Sequence, residues 1–173
     1  QISSVVFSST DNILLSIFSS LNSVTIYSSY NTILIYPVSL FNKIIDNLRA
    51  TFGKKMIEDE KETKALFYET FSLSLFISMI LAPLFYVLIN KFIVLWIGET
   101  FILDNYCVAI WTLLFIHRII IPTIYVLRDS KGLYKESKYY TLIQAIVNLV
   151  ISIVLIRPFG ILGLLLGTVI SKS

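Results

Sequence analysis

Three ionisable side chains interrupt long apolar runs of the sequence: Asp11, His117 and Arg118. An ionised group at the depth of lipid chains costs several kcal/mol, so such a residue faces a bundle interior or an aqueous cavity. At about 100° per residue, Asp11 shares one broad helical face with Ser4, Ser8, Asn12, Ser16 and Ser19. That face is too polar for lipid. It either packs closely on a neighbouring helix through its small residues or lines a hydrophilic passage. Arg118 lies ten residues from Arg128, too far to reach the interface by extending its side chain, so a cavity role is expected. His117 reads more simply as a packed side chain or one with a satisfied hydrogen bond. Asp11, Arg118, Asn12, Ser8 and His117 are therefore the candidate cavity residues.

Other chemistry is poorly represented. The chain has no G-x-S-x-G elbow, no phosphate-cradling glycine loop and no H-E-x-x-H, so no enzyme is expected. A single histidine and a single cysteine, Cys107, argue against a metal centre and against an internal disulfide. No cofactor is expected. The net charge of +3 does not indicate a nucleic-acid partner, because the Lys and Arg residues fall in connecting segments of alternating sidedness.

The elements that must position these residues are membrane helices. Of 173 residues, 56% are hydrophobic and 14% charged, against about 25% charged in a soluble domain. A span needs about 20 residues. Apolar segments of that order run from Ile2 to Leu21, Val24 to Ile45, Leu66 to Ile89, Tyr106 to Leu127 and Tyr139 to Ile156. Asn22 and Ser23 break the first pair into a tight hairpin. Asn42 to Lys64 is polar and reads as a partly helical surface segment; Asn90 to Asn105, with Phe92, Trp96 and Phe101, reads as an interfacial loop. Pro158 and Gly160 turn the chain into Ile161 to Ser173, which is too short to cross unaided.

The expected fold is thus all-α: one polytopic bundle over residues 1–173, with five complete spans and a truncated sixth. Pro37, Pro83 and Pro122 fall inside spans and favour bends, and Gly163 and Gly167 form a G-x-x-x-G pair suited to close helix packing. Eleven Lys and Arg residues lie on one side of this scheme, Lys172 among them, and two, Lys91 and Arg157, on the other. The positive side is expected to face the cytoplasm. Gln1 stands where an initiator Met would, and no basic leader follows, so the chain is expected to begin inside a longer protein.

Several segments carry a family resemblance. Gly132-Leu133-Tyr134-Lys135 leads into a span ending NLVISIVLIRPFGILGLLLGTVIS, from Asn148 to Ser171. Asp11 with Leu14 and Ser16, Tyr27-Ser28 with Tyr30, and Leu95-Trp96-Ile97-Gly98 precede it in order. Together they resemble the C-terminal half of Wzx-like flippases in the multidrug/oligosaccharidyl-lipid/polysaccharide exporter superfamily. The resemblance implies one six-helix lobe of a two-lobed exporter, partnered by an N-terminal lobe of the same parent chain. It implies a bacterial-type cytoplasmic membrane and movement of an undecaprenyl-diphosphate-linked oligosaccharide by alternating access, without ATP hydrolysis, for polysaccharide or O-antigen biosynthesis. Arg118 would then contact diphosphate or acidic sugar, or pair with Asp11 across the bundle. A drug or cation exporter of the same superfamily is the nearer alternative; a membrane-embedded polymerase or ligase is the more distant one.

The charge asymmetry makes a direct prediction. Single cysteines at Lys54 and Lys135, in a Cys107-free parent protein, should resist an impermeant thiol reagent added to intact cells, whereas cysteines at Trp96 and Arg157 should react. Labelling of position 54 from outside would reverse the orientation.

Overall fold

In the computed structural model the backbone is described for residues 2–132 and 134–172, and the side chains for 10–57, 59–132 and 140–172. The described chain is helical throughout, with no strand. Seven α-helices follow in order: α1 (Ile2–Phe18), α2 (Leu21–Asn47), α3 (Arg49–Glu58), α4 (Glu60–Ile97), α5 (Asn105–Ser130), α6 (Tyr134–Phe159) and α7 (Ile161–Lys172). A single 3-10 turn, Glu99–Phe101, precedes α5.

The polarity of the helix faces is inverted relative to a water-soluble protein. The inward face of α4 consists largely of small and hydroxylated residues, Thr63, Thr70, Ser74, Ser78 and Ala82, while Phe76 and Met79 stand outward at 62% and 76% exposure. On α6, Asn148 and Ser152 are buried, and Ile143, Ile146, Val150 and Val154 are exposed. Large apolar side chains facing outward along whole helices require an apolar surrounding. Several buried hydroxyls find partners inside, as where Ser74 Oγ bonds both the Thr70 carbonyl and Thr123 Oγ1, each at 2.8 Å, whereas Ser152 Oγ has none among the described residues. Three helices are long and apolar enough to cross a membrane: Glu60–Ile97, Asn105–Ser130 and the part of α6 over Tyr140–Phe159. These features mark a membrane protein.

Helix boundaries depart from the sequence reading in instructive ways. The first break falls at Ser19 and Ser20, not at Asn22 and Ser23, because Ser20 takes the N-cap position of α2 and accepts from the Ser23 amide at 3.2 Å. Residues 90–97 are the last turns of α4, not an interfacial loop. After Pro83 nothing in this stretch disfavours helix until Gly98, whose φ of +107° is open to glycine and strained for other residues. Asp59 caps α4 by accepting from the Lys61 amide at 2.7 Å, so the polar stretch is the end of α2, all of α3 and the start of α4. Pro158 lies within the last turn of α6, and Gly160, φ +56°, alone makes the turn into α7. Pro37, Pro83 and Pro122 are accommodated inside unbroken helices.

The helices assemble as hairpins, α4 with α5 and α6 with α7, around a central α5 that also touches α2, α3 and α7. α1 packs on α2 and α6. Trp111, Phe115 and Ile119 of α5 are almost wholly buried, and Phe115 stacks on Phe85 of α4 at a centroid distance of 5.3 Å. Each end of the bundle is tied by polar contacts. At one end Tyr30 Oη donates to Asn90 Oδ1 at 2.5 Å and accepts from the Leu103 amide at 3.0 Å. Asn90 Nδ2 in turn donates to the Leu103 carbonyl at 3.1 Å. At the other end Arg49 of α3 pairs with Asp129 of α5 and with Asp46 of α2. Burial works against the Arg49 charge, but the bonds to Asp129 and Asp46 outweigh it and hold its pKa above the ordinary value.

Gly163 and Gly167 are buried where α7 lies against α6. A Cβ at Gly163 would collide with the Leu155 carbonyl, and one at Gly167 would come within 2.5 Å of Ser152 Oγ. Gly163→Ala should therefore destabilise the parent protein by about 1–3 kcal/mol. Gly53→Ala, in α3 with nothing within 4 Å of a new Cβ, should be neutral or stabilising by up to about 1 kcal/mol. Thermal unfolding in detergent checks both; equal effects would mean that the α6–α7 approach is not a tight one.

Candidate functional site

The candidate site is an assembly of charge and aromatic surface inside the bundle, with α5 as its floor. α1 contributes Asp11, which is 4% exposed. Its neighbours on the inward face are Leu14 and Leu15, at 6% and 0%. Ser16, some 140° around the helix from Asp11, is exposed, and Ser19 lies beyond the helix end and is exposed too. The broad polar face expected from the sequence is thus narrower, Asp11 being its buried member and Asn12 its flank. The side chains of Ser4 and Ser8 lie outside the described residues, as do those of Lys135 and Lys138.

α2 meets α1 as an antiparallel hairpin partner, and this fixes the first contacts. Tyr27 Oη donates to Asp11 Oδ2 at 2.6 Å, and Ser28 Oγ donates to Asn12 Oδ1 at 3.2 Å. Both pairs are nearly symmetric about the turn at Ser19 and Ser20, a register that the sequence carried once that turn was placed. The Tyr27 ring lies 5.2 Å from the buried Trp111 ring of α5, tilted by 45°. One turn further along α2, Asn31 Oδ1 accepts from Arg118 Nη1 at 3.3 Å. The Arg118 guanidinium also lies over the Trp111 ring, 6.0 Å from its centroid, which is a cation–π arrangement.

Asp11 and Arg118 interact through charge but form no ion pair, so the direct pairing considered from the sequence is not what the fold builds. Each has a closer partner on α2. Half-buried His117, the neighbour of Arg118, interacts through charge with Arg118 and Lys172; no hydrogen bond to it occurs among the described residues. Lys172, which the sequence assigns to the positive face, also joins this cluster. At the end of α7 it lies within electrostatic reach of Asp11, Arg118 and His117. α7 folds back on α6 and touches α5, which brings its last residues toward the middle of the bundle. The same fold-back at Gly160 sets Asn148 of α6 beside the end of α7. Asn148 Nδ2 donates to Ser171 Oγ at 3.2 Å and to Thr168 Oγ1 at 3.3 Å.

The arrangement brings a guanidinium, an ammonium, one carboxylate, a tyrosine hydroxyl and two amides around a tryptophan. No cluster of three or more His, Cys, Asp or Glu side chains able to hold a metal occurs among the described residues. Separately, an apolar groove of about 430 Å³ runs between α4 and α5 beside Pro83, lined by Met79, Ala82, Tyr86 and Ile116 among others. It lies on the side of α5 away from Arg118. Comparison of the chain with protein-family models, with curated proteins and with solved structures gives no match.

These contacts rank the couplings within the site. In double-mutant cycles on the parent protein, Asp11→Leu with Tyr27→Phe should show a coupling of about 0.6–1.7 kcal/mol, the range for interhelical hydrogen bonds in membranes. Asp11→Leu with Arg118→Gln should couple more weakly. The reverse order, read from thermal unfolding in detergent, would mean that the carboxylate is held by the guanidinium after all.

Proposed function

We propose that the chain is most of one lobe of a two-lobed transporter that carries an anionic, lipid-linked oligosaccharide across the cytoplasmic membrane by alternating access. The supporting observation is the excess of positive charge in the bundle interior. Arg118 and Lys172 gather around the single carboxylate Asp11, leaving one cation without a countercharge among the described residues. A buried uncompensated cation is costly, and an anionic ligand relieves that cost. A diphosphate offers paired oxygens that suit the planar fork of a guanidinium, with an ammonium as a second point charge.

In this reading α1, α2 and α7 also belong to the membrane, giving five spans and a sixth cut short. α2, with 27 residues, is roughly 40 Å long and crosses despite its serines and tyrosines, because its polar side chains bond inward. α1, with 17 residues, reaches roughly 25 Å and crosses with local thinning or with a longer N-terminal continuation. The end rich in Lys and Arg faces the cytoplasm, and an N-terminal lobe of the parent chain closes the open side of the site. The order of motifs that resembles Wzx-like flippases supports the same substrate class.

An exporter of drugs or other cations is the second reading, and the aromatic pair Tyr27 and Trp111 would suit it. Two cations against one carboxylate oppose it. A polymerase or ligase would need a sizeable catalytic loop at the less charged end, where the links are only Ser19–Ser20, residues 98–104 and Gly160.

The test is transport of an undecaprenyl-diphosphate-linked sugar by the parent protein in vesicles. Arg118→Gln and Lys172→Gln should each lower the rate roughly tenfold or more, the loss of one charge-assisted contact, with the folded fraction checked by size exclusion. Arg118→Lys should keep more activity than Arg118→Gln, because charge survives while the bidentate geometry is lost. Full transport by both neutral variants, or faster export of an organic cation than of the lipid-linked sugar, would overturn the proposal.

A further inference from the structure

Two buried polar atoms in this cluster have no hydrogen-bond partner among the described residues: Asp11 Oδ1 and Trp111 Nε1. Asp11 is 4% exposed and Trp111 is fully buried, so bulk solvent does not satisfy them. The two atoms are complementary. A carboxylate oxygen accepts and an indole N–H only donates. They are also neighbours through one side chain, since Tyr27 hydrogen-bonds the other oxygen of Asp11 and packs its ring on Trp111. The indole is further fixed by the Arg118 guanidinium over its ring.

We infer that Asp11 Oδ1 and Trp111 Nε1 form a two-point site for a neutral hydroxyl group, which donates to the carboxylate and accepts from the indole. The hydroxyl comes from the sugar portion of the carried ligand, an inference that rests on the transporter reading, because a site this deep is reached only through a passage. Charge selects the class. The cations beside Asp11 already balance it, so the missing partner need carry no charge of its own. A phosphate brings acceptors but, fully ionised, no donor for Asp11 Oδ1. A metal ion is repelled by Arg118 and Lys172 and gains no ligand from an indole N–H. A sugar linked to a diphosphate meets both halves of the cluster, its anionic part on Arg118 and Lys172 and a hydroxyl on Asp11 and Trp111. A resident water shares the hydroxyl's chemistry and is the competitor that the experiment must separate.

Trp111 is one of two tryptophans, so Trp96→Phe leaves it as the only indole in this chain. The parent protein, with its other tryptophans replaced by phenylalanine, is placed in lipid nanodiscs. It is titrated with methyl glucoside and methyl N-acetylglucosaminide as neutral probes and with pyrophosphate as the anionic one. A saturable change in Trp111 emission with a neutral glycoside is expected. Trp111→Phe keeps an aromatic ring but removes the N–H together with the second ring of the indole, at the cost of a small cavity. Followed by thermal shift, it should melt within a few degrees of the wild type without ligand and bind the glycoside roughly tenfold more weakly. Emission unmoved by both glycosides would overturn the site, whether or not the lipid-linked substrate is transported, and would assign the two atoms to a resident water. A response to pyrophosphate alone would overturn it too, while leaving the transporter proposal standing. Undiminished glycoside binding in Trp111→Phe would place the sugar elsewhere.

Discussion

A guanidinium at the depth of lipid chains has to be surrounded by protein, and the arrangement of this bundle follows from how Arg118 is enclosed. It sits on the central helix α5, where the flanking buried residues Trp111, Phe115 and Ile119 set which face turns inward. Asn31 supplies one oxygen and the Trp111 ring a polarisable face. Neither neutralises the charge. The carboxylate that could do so, Asp11, is held by Tyr27 on the opposite helix pair, near enough to act through space and too far to share a proton or a hydrogen bond. The site is therefore a separated charge pair with an added ammonium, an arrangement more open to a third party than a closed salt bridge would be.

Around this centre the packing obeys the chemistry of a lipid solvent. With little hydrophobic drive between helices, association rests on close backbone approach and on hydrogen bonds. α4 turns its serines and threonines inward against α5, and α6 lets α7 approach at Gly163 and Gly167. Polar contacts concentrate where they fix geometry. Tyr30, Asn90 and the Leu103 backbone lock the start of α5 to α2 and α4. Arg49 and Asp129 lock its other end to α3. α5 is thus held at both ends, and its middle, carrying Trp111, His117 and Arg118, is positioned by those ties together with its contacts to Asn31, Tyr27 and Phe85.

How far this could be read from the sequence depended on whether local pattern or tertiary register carried the information. Charged residues in apolar runs stand out by contrast alone, which is why Asp11 and Arg118 were legible. Helical spacing placed Asp11 inward but overextended its polar face to Ser16 and Ser19, because a serine is cheap enough to face either way and the helix ends before Ser19. Tyr27 was legible in principle, since the hairpin turn places it opposite Asp11, and a three-residue error in the turn hid the match. Lys172 was not legible by composition. A lysine at the end of an apolar segment reads as a loop charge, and its approach to Asp11 and Arg118 depends on how α7 packs against α5. Trp111 Nε1 and Asp11 Oδ1 lay beyond any sequence signal, because an unmet hydrogen bond exists only once every neighbour is placed.

The distribution of unmet bonds then separates frame from function. Hydroxyls along α4 and α7 are satisfied by their own helices or by the next one, as in Ser74 with Thr123 and Thr168 with the Leu164 carbonyl. Such bonds cost nothing to keep and need nothing from outside. The two orphaned atoms at the centre are different, since both belong to side chains whose remaining contacts hold them rigidly in place. Single unmet atoms also occur at Asn42 Oδ1 and Ser152 Oγ, but among the described residues only beside Arg118 do an unmet acceptor and an unmet donor fall together with a cation. A ligand that meets all three gains what the bundle itself leaves unmade. Its chemistry is set by those three groups: a hydroxyl for the donor and acceptor, and a negative charge for the cation, carried on one molecule.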